Sequence, residues 1–242
     1  MLIIPAIDLR KGRVVRLTKG ASEQETAYFT SPVEAFQKWQ EEGAKLVHVV
    51  DLDGAMEGKP VNLGAVRDIL KIARVPIQLG GGLRTIESIE SVLKAGVSRA
   101  VVSTKALDPD FVKKLAQTFK EKVAVGIDLR AGVIQTHGWK SNELQCTLES
   151  FLCLLKEAGI KTVIVTDVNR DGTLEGPNLD LLRKVLSETT IDVIHSGGVS
   201  NLAHLEELAR IKTKNFKGVI IGKALYEKKF SLRDAIGKFQ KE

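Results

Sequence analysis

The chain is poor in several things. Aromatic residues fill 5% of its 242 positions, and it holds two Cys and six Pro. Cys146 and Cys153 make no disulfide framework, and no His or Cys accompanies them at metal-ligand spacing. Seven residues apart on what reads as one helix, they are expected to be reduced packing residues. No apolar run approaches the length that crosses a bilayer, and the first residues lack a basic segment followed by an apolar one. A soluble cytoplasmic protein with no membrane partner is therefore expected. No Pro/Ser-rich linker and no low-complexity tract divides the sequence, and its length suits one barrel-sized domain. The formal charge of +6 and pI near 9.2 invite a nucleic acid reading. However, Lys and Arg are interspersed with Glu and Asp, and aromatics are scarce, so no nucleic acid partner is expected; a diffuse positive field fits a small anionic ligand at least as well.

What is present is repetition. M-L-I-I-P-A-I-D-L-R-K-G at Met1 to Gly12 returns as K-V-A-V-G-I-D-L-R-A-G at Lys122 to Gly132, which places Asp8 and Asp128 at an offset of 120 residues. H-V-V-D-L-D-G-A-M-E-G at His48 to Gly58 returns, with a two-residue insertion, as I-V-T-D-V-N-R-D-G-T-L-E-G at Ile164 to Gly176. Gly81-Gly82 reappears as Gly197-Gly198, and V-V-S-T-K-A-L at Val101 to Leu107 as I-I-G-K-A-L at Ile220 to Leu225. Four ordered matches that include Asp, Gly-Gly and Asp-Gly indicate a duplicated architecture, with halves of about 1–120 and 121–242.

Read in order, strand and helix alternate. Strands are expected at Leu2 to Ile7, Leu46 to Val50, Ile77 to Leu79, Ala100 to Val102, Val123 to Ile127, Thr162 to Val165, Asp192 to His195 and Val219 to Ile221. Their Val/Ile-rich runs lack alternation, as parallel strands buried on both faces do. Helix starts are expected after Ser31, where Pro32 and Glu34 follow, near Asn62, and after Thr85, Asp108, Thr147 and Asn201. Two long loops, Leu9 to Thr30 and Leu129 to Cys146, follow the first and fifth strands. Eight strands alternating with helices in this length predict an α/β fold, a (β/α)8 TIM barrel of two half-barrels; a doubly wound sheet would place a glycine fingerprint after its first strand, where this chain has Asp8.

Chemistry in that fold sits at the carboxyl ends of the strands. Strands one and five are opposite each other in an eight-stranded barrel, so Asp8 and Asp128 should face each other across the mouth, each beneath a long loop. Two such carboxylates can serve as general acid and general base if their surroundings push their pKa values apart; either can instead cap amides or pair with an Arg. Gly81 and Gly82 with Ser103 and Thr104, and Gly197 and Gly198 with Gly222 and Lys223, place small residues just before helices, where backbone N–H groups converge on an anion. Two such sets at matching places imply a long substrate with a phosphate at each end.

The motifs I-I-P-A-I-D-L, H-V-V-D-L-D-G-A, L-G-G-G-L-R, G-I-D, T-D-V-N-R-D-G-T-L-E-G-P-N and S-G-G-V-S resemble the ProFAR isomerase family of histidine biosynthesis across essentially the whole chain. The resemblance implies an Amadori rearrangement of a bisphosphorylated aminoaldose, phosphoribosyl-formimino aminoimidazole carboxamide ribonucleotide, to its phosphoribulosyl aminoketose, with no metal and no organic cofactor; a monomer is expected, although sequence does not supply the oligomeric state. The resemblance makes Asp8 the proton acceptor and Asp128 the donor, with Asp171 a rival donor and Thr166 polarising the reacting centre. It places Trp139 on the aromatic part of the ligand; Gly172 is counted with the binding residues. Ser103 departs from the Gly found in many relatives. The nearest alternatives are the cyclase subunit of imidazole glycerol phosphate synthase, which usually carries Cys where this chain has Ala6, and a dual isomerase that also accepts phosphoribosylanthranilate. A non-catalytic phosphate-binding barrel would be expected to have lost one Asp. His48, Asp51, Asp53 and His195 are expected to be structural; Arg13 and Arg16, in the first loop, are expected to reach a phosphate or merely solvate it, and Arg16 is counted with the binding residues.

Overall fold

The computed structural model of the chain describes residues 1–18, 21–135 and 146–240. Eight parallel strands close a barrel in the order β1 (Leu2–Arg10), β4 (Val47–Asp51), β5 (Ile77–Gly80), β6 (Arg99–Val102), β7 (Val123–Arg130), β9 (Thr162–Asp167), β10 (Asp192–Ser196) and β11 (Phe216–Ile221), with β11 returning to β1. Three further strands, β2 (Arg13–Thr18), β3 (Ala21–Phe29) and β8 (Val133–Ile134), are antiparallel extensions at the mouth. The helices are α1 (Pro32–Glu41), α2 (Leu52–Glu57), α3 (Leu63–Ile72), α4 (Ile86–Lys94), α5 (Pro109–Phe119), α6 (Leu148–Ala158), α7 (Leu179–Glu188), α8 (Leu202–Ala209), α9 (Lys223–Tyr226) and α10 (Leu232–Phe239). The (β/α)8 expectation holds, and each strand lies within a residue or a few of its expected span.

The two-residue period of the strands sorts their side chains into two cores. Ile4, Ala6, Leu46, Val101, Ala124, Ile164, Ile194 and Ile220 pack together inside the barrel. Ile3, Ile7 and Leu9 join the larger core between barrel and helices. Both faces of β1 are thus covered, so Ile3 to Leu9 are buried without a break. Below the mouth, the interior also holds a polar chain in which Arg99 Nη2 donates to Gln78 Oε1 at 2.5 Å and Gln78 Nε2 meets His48 Nδ1 at 2.9 Å. Burial, then the nearby Arg16 and Arg99 charges, push His48 down to about 3, so it is neutral and structural.

The helix starts follow their caps. Ser31, Thr85, Thr147 and Asn201 each accept from the backbone N–H three residues on, and Asp108 accepts from Asp110 and Phe111. Asn62 differs, because its amide turns away from its own helix to bond Asp51 Oδ1 at 2.7 Å and Asp53 Oδ2 at 2.8 Å.

The loop expected at Leu9 to Thr30 is instead a β-hairpin built on β1. Its turn is Lys11-Gly12, with φ of 49° and 73°, joining Arg10 to Arg13 in register; positive φ at both central residues gives the turn twist that hairpins prefer. The turn recurs as Ala131-Gly132, with φ of 51° and 80°, joining Arg130 to Val133 at the start of the other expected loop. Residues 136–145 lie outside the described chain. The cysteine reading holds in part: Cys146 precedes the cap of α6 and packs, partly buried, against the larger core, whereas Cys153 is exposed on that helix.

A second correspondence holds the strand-end loops. Asp51 Oδ1 accepts from Gly54 N, and its Oδ2 accepts from Val61 N and Asn62 N, at 2.7 to 2.8 Å. In the other half, 116 residues on, Asp167 Oδ1 accepts from Asn169 N at 2.9 Å and its Oδ2 from Asn178 Nδ2 at 2.7 Å. Asp51→Ala would strand several buried donors at once, and is expected to lower unfolding free energy by about 3 kcal/mol, read by urea denaturation; a loss near zero would mean that water replaces the carboxylate.

Candidate active site

Asp8 and Asp128 occupy equivalent places near the ends of β1 and β7, which have three barrel strands between them on either side. Asp8 stands in register with Val50 of β4 and Val15 of β2; Asp128 stands in register with Thr166 of β9. Inward parity follows from the rows Ile4–Ala6–Asp8 and Ala124–Gly126–Asp128, whose lower members line the interior. The two carboxylates therefore rise from the barrel floor into the mouth, with Thr166 beside one of them.

The hairpin carries Arg16 into this mouth. Its guanidinium donates from Nη1 to Asp8 Oδ2 at 2.7 Å and lies with Nη2 3.8 Å from Asp171 Oδ1, in the loop after β9. Asp8 is 8% exposed and Arg16 7%. Burial pushes Asp8 up to about 6, the Arg16 charge opposes that rise, and the Asp171 charge adds to it. Burial likewise raises Asp171 against the pull of Arg16, the Gly172 amide and Lys223. Burial disfavours the guanidinium cation, yet the two carboxylates outweigh it and raise Arg16 above its usual value.

A polar pocket opens at this place. It brings together Arg16, Asp171, Gly172, Gly197, Gly198, Gly222 and Lys223, seven of the residues singled out in the sequence. Lys223 Nζ donates to Gly172 O at 3.0 Å, and His195, buried and pushed down to about 4, meets Gly197 O at 3.1 Å. The first set lies in the other half, with Gly81 and Gly82 after β5, exposed Ser103 after β6, and Thr104 opening a short 3-10 turn. Trp139 lies outside the described residues.

The glycines have structural reasons that the sequence did not disclose. Gly81 and Gly197 have φ of 102° and 101°, and Gly82 and Gly198 have φ of 74° and 88°. A Cβ on Gly81 would strike Asp51 O, and one on Gly198 would strike Gly176 O. Each pair lets a strand end press backbone to backbone against the loop of the preceding strand. Gly222 is a different case. Its φ and ψ of −110° and −96° match those of Ser103, −114° and −94°, so the backbone does not require glycine there. What requires it is Arg16, whose guanidinium fills the space that a Cβ at Gly222 would take.

Two partners of the site escaped sequence reasoning. One is Arg16: pairing of an aspartate with an Arg was an open alternative, but Arg16 was expected to reach or solvate a phosphate rather than to hold Asp8 and Asp171. The other is Tyr226 on α9, which donates to Ala6 O at 2.8 Å and packs its ring 4.9 Å from Tyr28 and 5.3 Å from Trp39. That cluster pins the hairpin's far strand to the barrel and so fixes where Arg16 enters. The Arg16–Asp8 contact is local to the hairpin that sets Asp8 in register with Val15, but that hairpin has only a weak signal in the sequence; the Tyr226–Ala6 contact joins residues that only barrel closure brings near.

Residues 2–231 of the chain match the family described as histidine biosynthesis protein. Over all of this chain and 92% of the relative, it is 45% identical to a protein of Desulforudis audaxviator. It is 43% identical to one of Oceanobacillus iheyensis, over 98% of this chain and 97% of the other. With one of Clostridium acetobutylicum the identity is 38% over the whole of both. All three are named as imidazole-4-carboxamide isomerases, and the substrate in their name carries two phosphoribosyl groups.

The electrostatics of the mouth can be read directly. Carbon-13 NMR of the Asp carboxyls, with Asp8→Asn for assignment, is expected to show Asp8 titrating near pH 6; a midpoint at the ordinary aspartate value would contradict the burial described.

Proposed function

The chain belongs to the histidine biosynthesis protein family, and on that premise we propose that it is the isomerase that converts the phosphoribosyl-formimino aminoimidazole carboxamide ribonucleotide, an aminoaldose, to its phosphoribulosyl aminoketose. The observation that carries this reading is a buried, unusually basic carboxylate, Asp8, set beside an anion pocket of Arg16, Gly197, Gly198, Gly222 and Lys223. A phosphate in that pocket would hold one end of the substrate, and Gly81, Gly82, Ser103 and Thr104 would hold the other. The sugar then spans the mouth between the aspartates.

The chemistry is a sequence of proton transfers. An acid protonates the ribose ring oxygen, the C1–O bond breaks, and the nitrogen lone pair closes a Schiff base. A base takes the C2 proton to give an enolamine, and protonation at C1 with loss of the C2 hydroxyl proton leaves the C2 ketone. Asp8 suits the base role, because a carboxylate pushed up to about 6 is ionised at neutral pH and is a stronger acceptor than an ordinary aspartate. Asp128, with Thr166 in register beside it, is assigned the donor role. Asp171, itself raised by burial, is the rival donor. Trp139 is assigned to stack on the aromatic base. The relatives' shared name favours the isomerase over the cyclase subunit of imidazole glycerol phosphate synthase.

The remaining parts of this reading are proposed with it. The barrel is taken as one domain with halves 1–120 and 121–242. It acts as a cytoplasmic monomer on a small bisphosphorylated substrate, without nucleic acid, metal or organic cofactor. Among the described residues, no helix is long and apolar enough to cross a membrane.

Purified protein given the aminoaldose should isomerise it, followed by absorbance, and should turn over phosphoribosylanthranilate little; no activity on the aminoaldose would defeat the proposal, and equal turnover of both would make it a dual isomerase. Asp8→Asn is expected to lower kcat by at least about 10²-fold with little change in binding. Since a base must be ionised, kcat/KM of the parent should fall as pH drops through about 6. Near-normal kcat in Asp128→Asn together with collapse in Asp171→Asn would transfer the donor role to Asp171.

A further inference from the structure

The two halves supply equivalent aspartates, and Asp8 is held by a buried cation of its own half. Arg16 lies eight residues beyond Asp8, and the position 120 residues later in the sequence is Thr136, which cannot carry charge. Arg16 is thus a side chain that the duplication does not repeat, and it touches both the proton acceptor and the anion pocket. Three observations bear on what it does. Arg16 donates to Asp8 at 2.7 Å through Nη1. It lines the same pocket as Gly197, Gly198 and Lys223, and its guanidinium fills the space above Gly222. Its Nε, buried, has no hydrogen-bond partner in the structure. A buried donor without an acceptor costs stability, and in a pocket lined by small residues and Lys223 the acceptor it suits is an anion's oxygen.

We propose that Arg16 is a positioning residue that couples phosphate occupancy to proton abstraction: one guanidinium is shared between Asp8 in the free enzyme and a phosphate in the bound one. This rests on the isomerase reading given above. In the free enzyme the cation stabilises the Asp8 carboxylate, which keeps it ionised but tempers its basicity. A phosphate oxygen accepting from Arg16 draws that cation off and brings negative charge close by, so Asp8 becomes a stronger base only when substrate is in place. The proton acceptor is then at its most basic when a C2 proton is there to be taken.

The groups around Asp8 set the sign of the effect. On the hairpin these are Arg16 and Tyr28, on α9 Tyr226, in the loop after β9 Asp171, on β4 His48, and across the mouth on β7 Asp128. Lys223 acts through Asp171. Tyr226 is pushed above its ordinary value and His48 below, so both are neutral near pH 7. Without Arg16, burial and Asp171 both push Asp8 upward, and nothing in direct contact with it pulls back.

The test is a carbon-13 titration of Asp8 in the full chain, with and without saturating inorganic phosphate, in the parent, Arg16→Gln, Arg16→Lys and Gly222→Ala. Phosphate should raise the parent's midpoint. Arg16→Gln should raise it by about one pH unit or more without phosphate, and phosphate should then add little. Arg16→Lys should recover part of the lower midpoint. Gly222→Ala, whose methyl displaces the guanidinium, should behave like Arg16→Gln and serves if that variant fails to fold. The acid limb of kcat/KM should move up with the phosphate-free midpoint. A purely structural Arg16 would leave these midpoints alone, so an unchanged midpoint in both Arg16→Gln and Gly222→Ala overturns the proposal. Phosphate that leaves the parent's midpoint unmoved overturns it too. Because the titration needs no turnover, it separates this coupling from the isomerase assignment, which the aminoaldose assay decides alone.

Discussion

The site depends on parity in a closed barrel. Along β1 each residue faces either the interior or the helices, and closure through β11 and β4 leaves no freedom to choose. Ile7 and Leu9 face the helix layer, where they are fully buried. Asp8, between them, must face the mouth. Slipping the strand by one residue would drive the carboxylate into the apolar layer and turn two aliphatic side chains into the site, at a cost no local contact could offset. The same constraint sets Asp128 on β7. The opposition of the two aspartates is therefore a consequence of apolar packing rather than of any attraction between them.

Within that frame, much of the molecule was legible in the sequence because the signals were local. Uninterrupted Val/Ile runs marked strands covered on both faces, and Ser31, Thr85, Asp108, Thr147 and Asn201 marked helix starts through hydrogen bonds reaching two or three residues. The hairpin after β1 was not legible, because Lys11-Gly12 is a weak turn signal and the polar Asp8 and Arg10 end the apolar run while the strand itself continues. Nor was the reason for Gly222, which is fixed by a guanidinium arriving from a residue more than 200 positions away. Duplication revealed where the site lies. It could not reveal how its halves differ, since repeated motifs record what the halves share.

Around Asp8 the deciding element is a cation. Two carboxylates and one guanidinium share a buried space, where burial favours the neutral form of each acid. A buried ion pair is a poor source of stability, and here one donor of the pair is left unsatisfied. On the proposed reading its place is better explained by what it does to Asp8: it opposes the rise that burial imposes, so the carboxylate stays ionised near neutral pH until a phosphate draws the cation away.

The claim that this mouth abstracts a proton from C2 of an aminoaldose is tested most directly by single turnover of substrate carrying deuterium at that carbon. The account predicts that the deuterated compound isomerises more slowly than the protiated one, and that Asp8→Asn binds it but converts it at least about 10²-fold more slowly than the parent. Equal single-turnover rates for the two isotopologues, with Asp8→Asn still converting substrate, would contradict it.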